Sequence, residues 1–214
     1  MSIKIELKKN ISESKIKNYV LFSDENLRIA GFNKISLSEY SNLITNIVKN
    51  DSVKDKNFLS FNINANQKII LIKLKKNTSS LDNEKIGAEF FSYIEANSIF
   101  NSTLLSKNIS SLKIDHKHFL DEFLHGAQLK SYSFDKYKTK KKNQSYKIDI
   151  STSNNQVLFD KNKKFYSLIQ GTNLTKDLVS EPGNVLHPDE YANRLVKLRK
   201  AGLKVTVYDQ KKLK

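Results

Sequence analysis

The stretch Lys-Ile-Ile-Leu-Ile-Lys-Leu-Lys at residues 68–75 constrains the fold of this chain more than any other. Ile69–Ile72 place apolar side chains on both alternating faces of an extended segment. Such a strand needs cover on both sides, as the central strands of layered α/β sheets have. Asn57–Ile63 reads as a second strand, joined to the first by a turn at Asn64–Gln67. Ile3, Ile5 and Leu7 alternate, which predicts a half-buried strand at the start of the chain. Tyr19–Phe22 is a short apolar run that suits a buried one. Further strands are expected around Ser102–Leu105, around Ser111–Ile114, and through Tyr146, Ile148 and Ile150.

Helical patterns lie between these strands. Ser36-Leu37-Ser38-Glu39 has the spacing of a capping box. Leu37, Tyr40, Leu43, Ile44, Ile47 and Val48 then recur on one helical face. Asp82 and Glu84 complement the first turn of another helix. Ile86, Phe90, Tyr93 and Ile94 form its buried stripe, and Gly87 and Ala88 allow close packing. A third helix is expected over Lys117–Lys130. Ser131–Asn143 reads as a strand end that runs into a basic loop. The interleaving predicts an α/β domain over residues 1–155, with layers around a mostly parallel or mixed sheet.

The last part of the chain is organised differently. A long helical pattern from Val157 to Val179 predicts a linking helix over residues 156–181. Residues 182–214 then read as a truncated second α/β domain. Its helix opens on Pro188, with Asp189 and Glu190 in the first turn, and ends on Lys197, Arg199, Lys200 and the cap Gly202. Leu203–Tyr208 is expected to be a strand. A lone strand leaves its backbone unsatisfied, so the rest of its sheet is expected from elsewhere.

Composition removes several function classes. There is no cysteine, hence no disulfide, thiolate nucleophile or cysteine metal site. No apolar run approaches the roughly 18 residues of a membrane span. The N-terminus alternates and has no signal-peptide core. Together these fit a cytoplasmic protein. The net charge of +15 suggests nucleic acid, but only Arg28, Arg194 and Arg199 among the 37 basic residues are arginine. Base readers lean on the arginine fork. A solvated lysine-rich surface is therefore the plainer account.

The stretch Leu174–Leu195, "LTKDLVSEPGNVLHPDEYANRL", carries both prolines of the chain. It resembles the segment of leucyl aminopeptidases (cytosol aminopeptidases) in which a linker helix enters the catalytic domain. The matching positions are Asp177, Leu178, Val179, Pro182, Asn184 and Pro188, with Gly183 inside the turn. Lys176 and Ser180 depart from the usual arginine and asparagine. Phe123–Lys142 is similar to a second segment of that family, and Glu84–Phe91 to a third. The resemblance runs from about residue 84 to the end.

That resemblance implies a three-layer, macro-domain-like N-terminal domain with a mixed sheet. It also implies a cytoplasmic, homo-hexameric two-metal peptidase that removes N-terminal residues from peptides. Its zinc or manganese would be held by a lysine and several carboxylates, in a Gly-rich Lys/Asp segment and an Asn-Thr-Asp-Ala-Glu-Gly-Arg segment. Neither is present here, so no catalytic or metal-binding residue is assigned. The chain is expected to stop just inside the catalytic domain and to be inactive alone.

Two further clusters invite a function. Asp115–His125 places His118 with Glu122, and Asp121 with His125, at helical i,i+4 spacing. Four possible ligands crowd there, but a solvated or capped helix face is the expected state. His187, before Pro188, is expected to stand in as a helix cap. From Lys136 to Lys164 nine lysines oppose two aspartates, beside Tyr132, Phe134 and Tyr137. Lys136, Lys138, Lys140, Lys141 and Lys142 are the candidate nucleic-acid contacts, since aromatic side chains beside cations can stack bases. Some bacterial members of the resembled family also bind DNA. The alternative to an enzyme part is thus a stand-alone basic module that binds nucleic acid or a protein partner.

Overall fold

The computed structural model describes residues 2–9, 11–35, 37–49, 56–76, 78–112, 116–139, 144–152 and 163–213. The chain divides into two compact units, Met1–Ile169 and Gln170–Lys214.

The first unit is built on six strands: β1 (Ser2–Lys9), β2 (Asn18–Ser23), β3 (Phe58–Asn62), β4 (Lys68–Lys73), β5 (Asn101–Leu105) and β6 (Ser145–Thr152). They lie in the order β1-β6-β5-β2-β4-β3. Only β3 runs antiparallel to its neighbour, with Leu59 opposite Leu71. The other pairings are parallel. As the sequence demands, Ile69–Ile72 of β4 are fully buried and feed both faces. Each such side chain contributes about 1.5–3 kcal/mol relative to exposure.

Val20, Phe22, Ile70 and Ile72 face the layer made by α2 (Ser80–Ala96) and α4 (His116–Ser131). Tyr19, Leu21, Ile69 and Leu71 face Ile35, Leu37 and Ile44, the last on α1 (Ser41–Val48). The unit is therefore three-layered, with a mixed sheet in the middle, as expected. In the first layer Phe22 meets Phe119 and Phe123 edge-on, at ring-centre distances of 5.1 and 5.3 Å. Such pairs add about 0.5–1.5 kcal/mol beyond their buried area.

Helix α2 starts on a reciprocal cap. The Asp82 amide donates to Ser79 Oγ, and the Ser79 amide donates to Asp82 Oδ2. The Ser79 hydroxyl, which donates to Asp82 Oδ2 at 2.7 Å, and then the Ser79 amide hold the Asp82 carboxyl below its ordinary range. The expected stripe is present, with Phe90 and Ile94 buried and Ile86 and Tyr93 packed against them. Gly87 is where α2 meets α4. A Cβ there would lie 1.9 Å from the Phe123 carbonyl oxygen. The relation is reciprocal, because a Cβ at Gly126 would lie 1.9 Å from the Glu84 carbonyl oxygen.

Several expectations fail for physical reasons. Ser111 and Leu112 form no strand. They turn after the short α3 (Ser106–Ile109), while Ile114 lies outside the described residues. The buried Asn108 explains the turn. Its side chain accepts from the Phe22 amide at 2.7 Å and donates to the Phe22 and Ala30 carbonyls. Ser131 closes α4, and residues 132–139 form no strand. The helix expected from Leu37 begins with a 3-10 turn at Ser38–Tyr40, and α1 follows from Ser41. Ser36 lies outside the described residues, as do 140–143 and 153–162.

Strand β1 is at the edge of the sheet. Ile3 and Ile5 face the core, while the other face is ionic. Glu6 sits opposite Asp149 on β6 and takes Lys147 at 2.8 Å and Lys4 at 2.6 Å. Lys8 reaches Asp149 at 2.9 Å. Charge on an edge strand discourages pairing with another chain. The hydrogen bond from Lys147 holds the Glu6 carboxyl down to about 2, from an ordinary 4.5. The same bond raises the Lys147 ammonium.

In the second unit the helices are α6 (Pro188–Val196), continued by a 3-10 turn at Lys197–Ala201, and α7 (Gln210–Leu213). Helix α5 (Lys163–Ser180) runs across the division between the units. Gly202 ends the 3-10 turn with φ of 85°, as its cap role requires. Leu203–Tyr208 is not the expected strand. It forms no sheet pairing among the described residues, and the Arg199 guanidinium donates to the Val205 carbonyl at 2.6 Å.

Gly87→Ala or Gly126→Ala should each cost about 3 kcal/mol in urea unfolding, because backbone has to move. Gly171→Ala meets nothing within 4 Å and should stabilise α5 by up to about 1 kcal/mol. Because the folded carboxyl of Glu6 titrates below its unfolded value, its contribution is complete above about pH 4.5. It is lost as pH falls from there towards 2. Thermal melts of Glu6→Gln should show a shallower decline across that window than the native chain.

Candidate functional site

The cluster on α4 is not the solvated face expected of it. Asp121, Glu122 and His125 are all buried, and Glu122 and His125 meet α2. Glu122 accepts from Ser80 Oγ through one oxygen and from Asn83 Nδ2 at 2.7 Å through the other. His125 Nδ1 meets Glu84 Oε1 at 2.9 Å. Its ring also lies against Phe165, with centres 5.2 Å apart. Both carboxylate oxygens of Glu122 and one nitrogen of His125 are thus committed to α2. Among the described residues, no three His, Asp or Glu side chains come together in a way that could hold a metal ion. The side chains of Asp115 and His118 lie outside the described parts. The described members of the set therefore do not fit a catalytic metal. Glu122 and His125 form a polar lock between two helices.

The basic segment is described only in part. Lys136 and Lys138 are exposed, on a turn after α4. Lys136 Nζ lies 5.3 Å from the centre of the Tyr137 ring. Lys138 pairs with Asp135 at 2.5 Å, which holds that carboxyl far below its ordinary range. Phe134 and Tyr137 have ring centres 5.8 Å apart. The two described lysines thus have local partners of opposite charge or π character. Lys140, Lys141 and Lys142 lie outside the described residues.

The junction is the better-built candidate. Asp177 is exposed near the end of α5, and its carbonyl accepts from the Glu181 amide at 3.1 Å. Pro182 opens a turn in which its carbonyl accepts from the amides of Val185 and Leu186, both at 2.9 Å. Gly183 and Asn184 are exposed in that turn. A side chain at Gly183 would meet nothing within 4 Å, so packing gives no reason for glycine there. Pro188 occupies the first position of α6, where its missing amide costs nothing. His187 is the N-cap, but its side chain makes no capping hydrogen bond. Its carbonyl accepts the first helical hydrogen bond, from the Tyr191 amide at 2.9 Å.

What braces the junction is Arg194, which the motif reading passed over. Its Nη1 pairs with Glu181 at 3.0 Å and its Nε with Glu190 at 2.8 Å. The Glu181 side chain is only 2% exposed. One planar guanidinium therefore ties the residue before the turn to the first turn of the helix after it. Arg194 holds the Glu190 carboxyl below its ordinary range, and Glu190 in turn raises Arg194. The Glu190–Arg194 half is visible as i,i+4 spacing. The Glu181 half is not, because it depends on how the turn folds back.

No protein-family model matches the chain. Part of it is similar to curated proteins. A probable cytosol aminopeptidase of Phytoplasma mali (strain AT) is 41% identical over 98 residues, covering 43% of this chain and 20% of that protein. A probable cytosol aminopeptidase of Rhodopseudomonas palustris (strain BisA53) is 39% identical over 88 residues, covering 39% of this chain and 18% of that one. Among solved structures, a mutant of tomato leucine aminopeptidase matches with a TM-score of 0.67 and 18% identity. It covers 94% of this chain and 42% of its own. The bottromycin maturation enzyme BotP matches with a TM-score of 0.60 and 14% identity, over 92% of this chain and 40% of its own. The matched part spans about a fifth of the curated relatives' length. Over part of its length the chain is thus similar to leucyl aminopeptidases (cytosol aminopeptidases), the resemblance its sequence suggested. The fold of these neighbours is the α/β fold described above.

Arg194→Ala should loosen the junction, because it removes the cation that Glu181 and Glu190 share. Hydrogen exchange should then speed up at the amides of residues 189–196 and remain unchanged in β2 and β4. Arg194→Lys should give an intermediate rate, since one ammonium cannot span both carboxylates in the same geometry.

Proposed function

We propose that this chain is the amino-terminal part of a leucyl aminopeptidase-like metallopeptidase, which removes N-terminal residues from peptides in the cytoplasm. The observation that carries this reading is the apolar surface of the second unit. Val179 is 81% exposed and Tyr208 64%, and Tyr191 and Leu203 are exposed as well. Leu203–Tyr208 is free of sheet pairing among the described residues, although its composition suits a strand. Large apolar side chains gathered in a small unit mark surface that another part covers. A further set of strands belonging to a catalytic domain would supply that cover.

In this reading residues 1–155 are the N-terminal domain, 156–181 the linking helix and 182–214 the start of the catalytic domain. The two divalent metals, manganese or zinc, belong to the rest of that domain, as does the core of a homo-hexamer. One solved neighbour is the enzyme BotP in complex with manganese. No described residue of this chain fits such a metal, so none is given a step in the chemistry. The contribution of this chain is positional. Arg194, Glu181 and Pro188 fix where the first helix of the catalytic domain begins.

The purified chain with manganese should not release the chromophore from a leucyl anilide. Hydrolysis that is abolished by a chelator would overturn the assignment of all the chemistry to another part. The chain should also bind an apolar dye, and the double variant Leu203→Ser, Tyr208→Ser should bind less. Unchanged dye binding would remove the support that the exposed surface gives.

A further inference from the structure

The sheet has a feature that the peptidase reading does not use. β2 and β4 are parallel neighbours, yet the chain leaves their C-terminal ends towards opposite faces. From β2 it goes to α1 and its core cluster, whereas from β4 it goes to α2 on the other side. Where neighbouring strands part in this way, a crevice opens beyond their ends, and open α/β sheets bind ligands there. Here the crevice is a cavity of about 460 Å³. That is within the usual range for small-molecule sites, roughly 300–1,000 Å³.

The loop that follows β2 is specially shaped. Leu27 has φ of 61° although it is not glycine, and Gly31 has φ of 62°. A Cβ at Gly31 would lie 2.2 Å from Ser111 Oγ, so the loop closes tightly on the turn after α3. Asn108 clamps both ends of the loop through Phe22 and Ala30. Strained backbone held this firmly is typical of binding loops.

The charges around the cavity are arranged unequally. Asp24 and Glu25 line it, but both are engaged by backbone. Asp24 Oδ1 accepts from the amides of Asn26 and Arg28, both at 2.9 Å, and Glu25 Oε1 accepts from the Lys76 amide at 3.1 Å. Lys75, Lys76 and Arg28 supply three cations. Arg28 forms no side-chain hydrogen bond or ion pair among the described residues. It also lines a second cavity of about 360 Å³ on the other side of the loop, beside Leu27 and Ile44.

We propose that this crevice is a binding site for a small phosphorylated molecule, with Arg28 as the forked contact to its phosphate and Lys75 and Lys76 as flanking charges. The proposal is independent of peptidase activity. A forked guanidinium and two ammonium groups around a cavity of this size suit a phosphate oxyanion.

The test is calorimetric titration of the full 214-residue chain with inorganic pyrophosphate at low ionic strength. One saturable site is expected. Arg28→Ala should weaken it about tenfold or more, the scale of one charge-assisted hydrogen-bond pair. Arg28→Lys should recover only part of the loss. The control Lys136→Ala, Lys138→Ala removes the same kind of charge elsewhere and should leave affinity unchanged. An unphosphorylated single-stranded oligonucleotide should not compete. Arg28 forms no side-chain hydrogen bond or ion pair among the described residues, so its variants should melt like the native chain. Absence of saturable binding, an unaffected Arg28→Ala variant, or equal weakening by the control pair would overturn the proposal. Competition by the oligonucleotide would overturn its small-molecule part.

Discussion

Everything in the first unit depends on how closely α2 and α4 approach. At the crossing each helix presents a glycine to a carbonyl of the other: Gly87 to Phe123, and Gly126 to Glu84. Side chains at these two points would separate the backbones. The same residues also carry the polar lock. Glu84, whose carbonyl faces Gly126, takes His125 with its carboxylate. Glu122, next to Phe123, takes Ser80 and Asn83. Steric fit thus sets the distance, and hydrogen bonds set the register. An apolar contact alone could slide along the helices. Buried polar groups make a displaced register costly, because each slip strands a carboxylate without donors. With the two helices fixed, Phe119 and Phe123 reach Phe22 on β2, and the sheet is held from one side.

Most of the first unit was legible because its signals are local. Ile69–Ile72 announce a strand covered on both faces, and Gly87 shows up as a small residue in a stripe of large ones. The α4 cluster was misread because Asp121, Glu122 and His125 usually face water. Glu122 and His125 find their partners in Ser80, Asn83 and Glu84, roughly forty residues earlier in the chain. The start of Ser111–Ile114, at Ser111 and Leu112, was misread for a related reason. Its apolar alternation suits a strand, but Asn108 spends its side chain on Phe22 and Ala30 and turns the chain instead. Leu203–Tyr208 shows that strand propensity is not strand structure, because a ladder needs a partner. At the junction Pro188 and the acidic first turn were plain in the sequence. The brace from Arg194 to Glu181 was not, since it exists only once the Pro182 turn has formed.

The rarity of arginine in this chain makes its three positions informative. Lysine serves wherever a single charge is enough, as at Lys4, Lys8 and Lys147 around the edge strand. Arg194 and Arg199 do what lysine cannot. The first reaches two carboxylates through separate nitrogens of one plane, where Lys147 shares a single nitrogen between Glu6 at 2.8 Å and Asp149 at 3.5 Å. The second places Nε and Nη2 together on one carbonyl, at 3.1 and 2.6 Å. Both uses depend on a rigid planar fork. Arg28 has the same fork and no protein group of the described chain to receive it, on a strained loop at the point where the sheet parts. If a positive charge were all that this loop needed, lysine would be the residue expected from the rest of the chain. A fork beside a cavity suits a planar or tetrahedral oxyanion as its counterpart, and that argument is independent of what the second unit does.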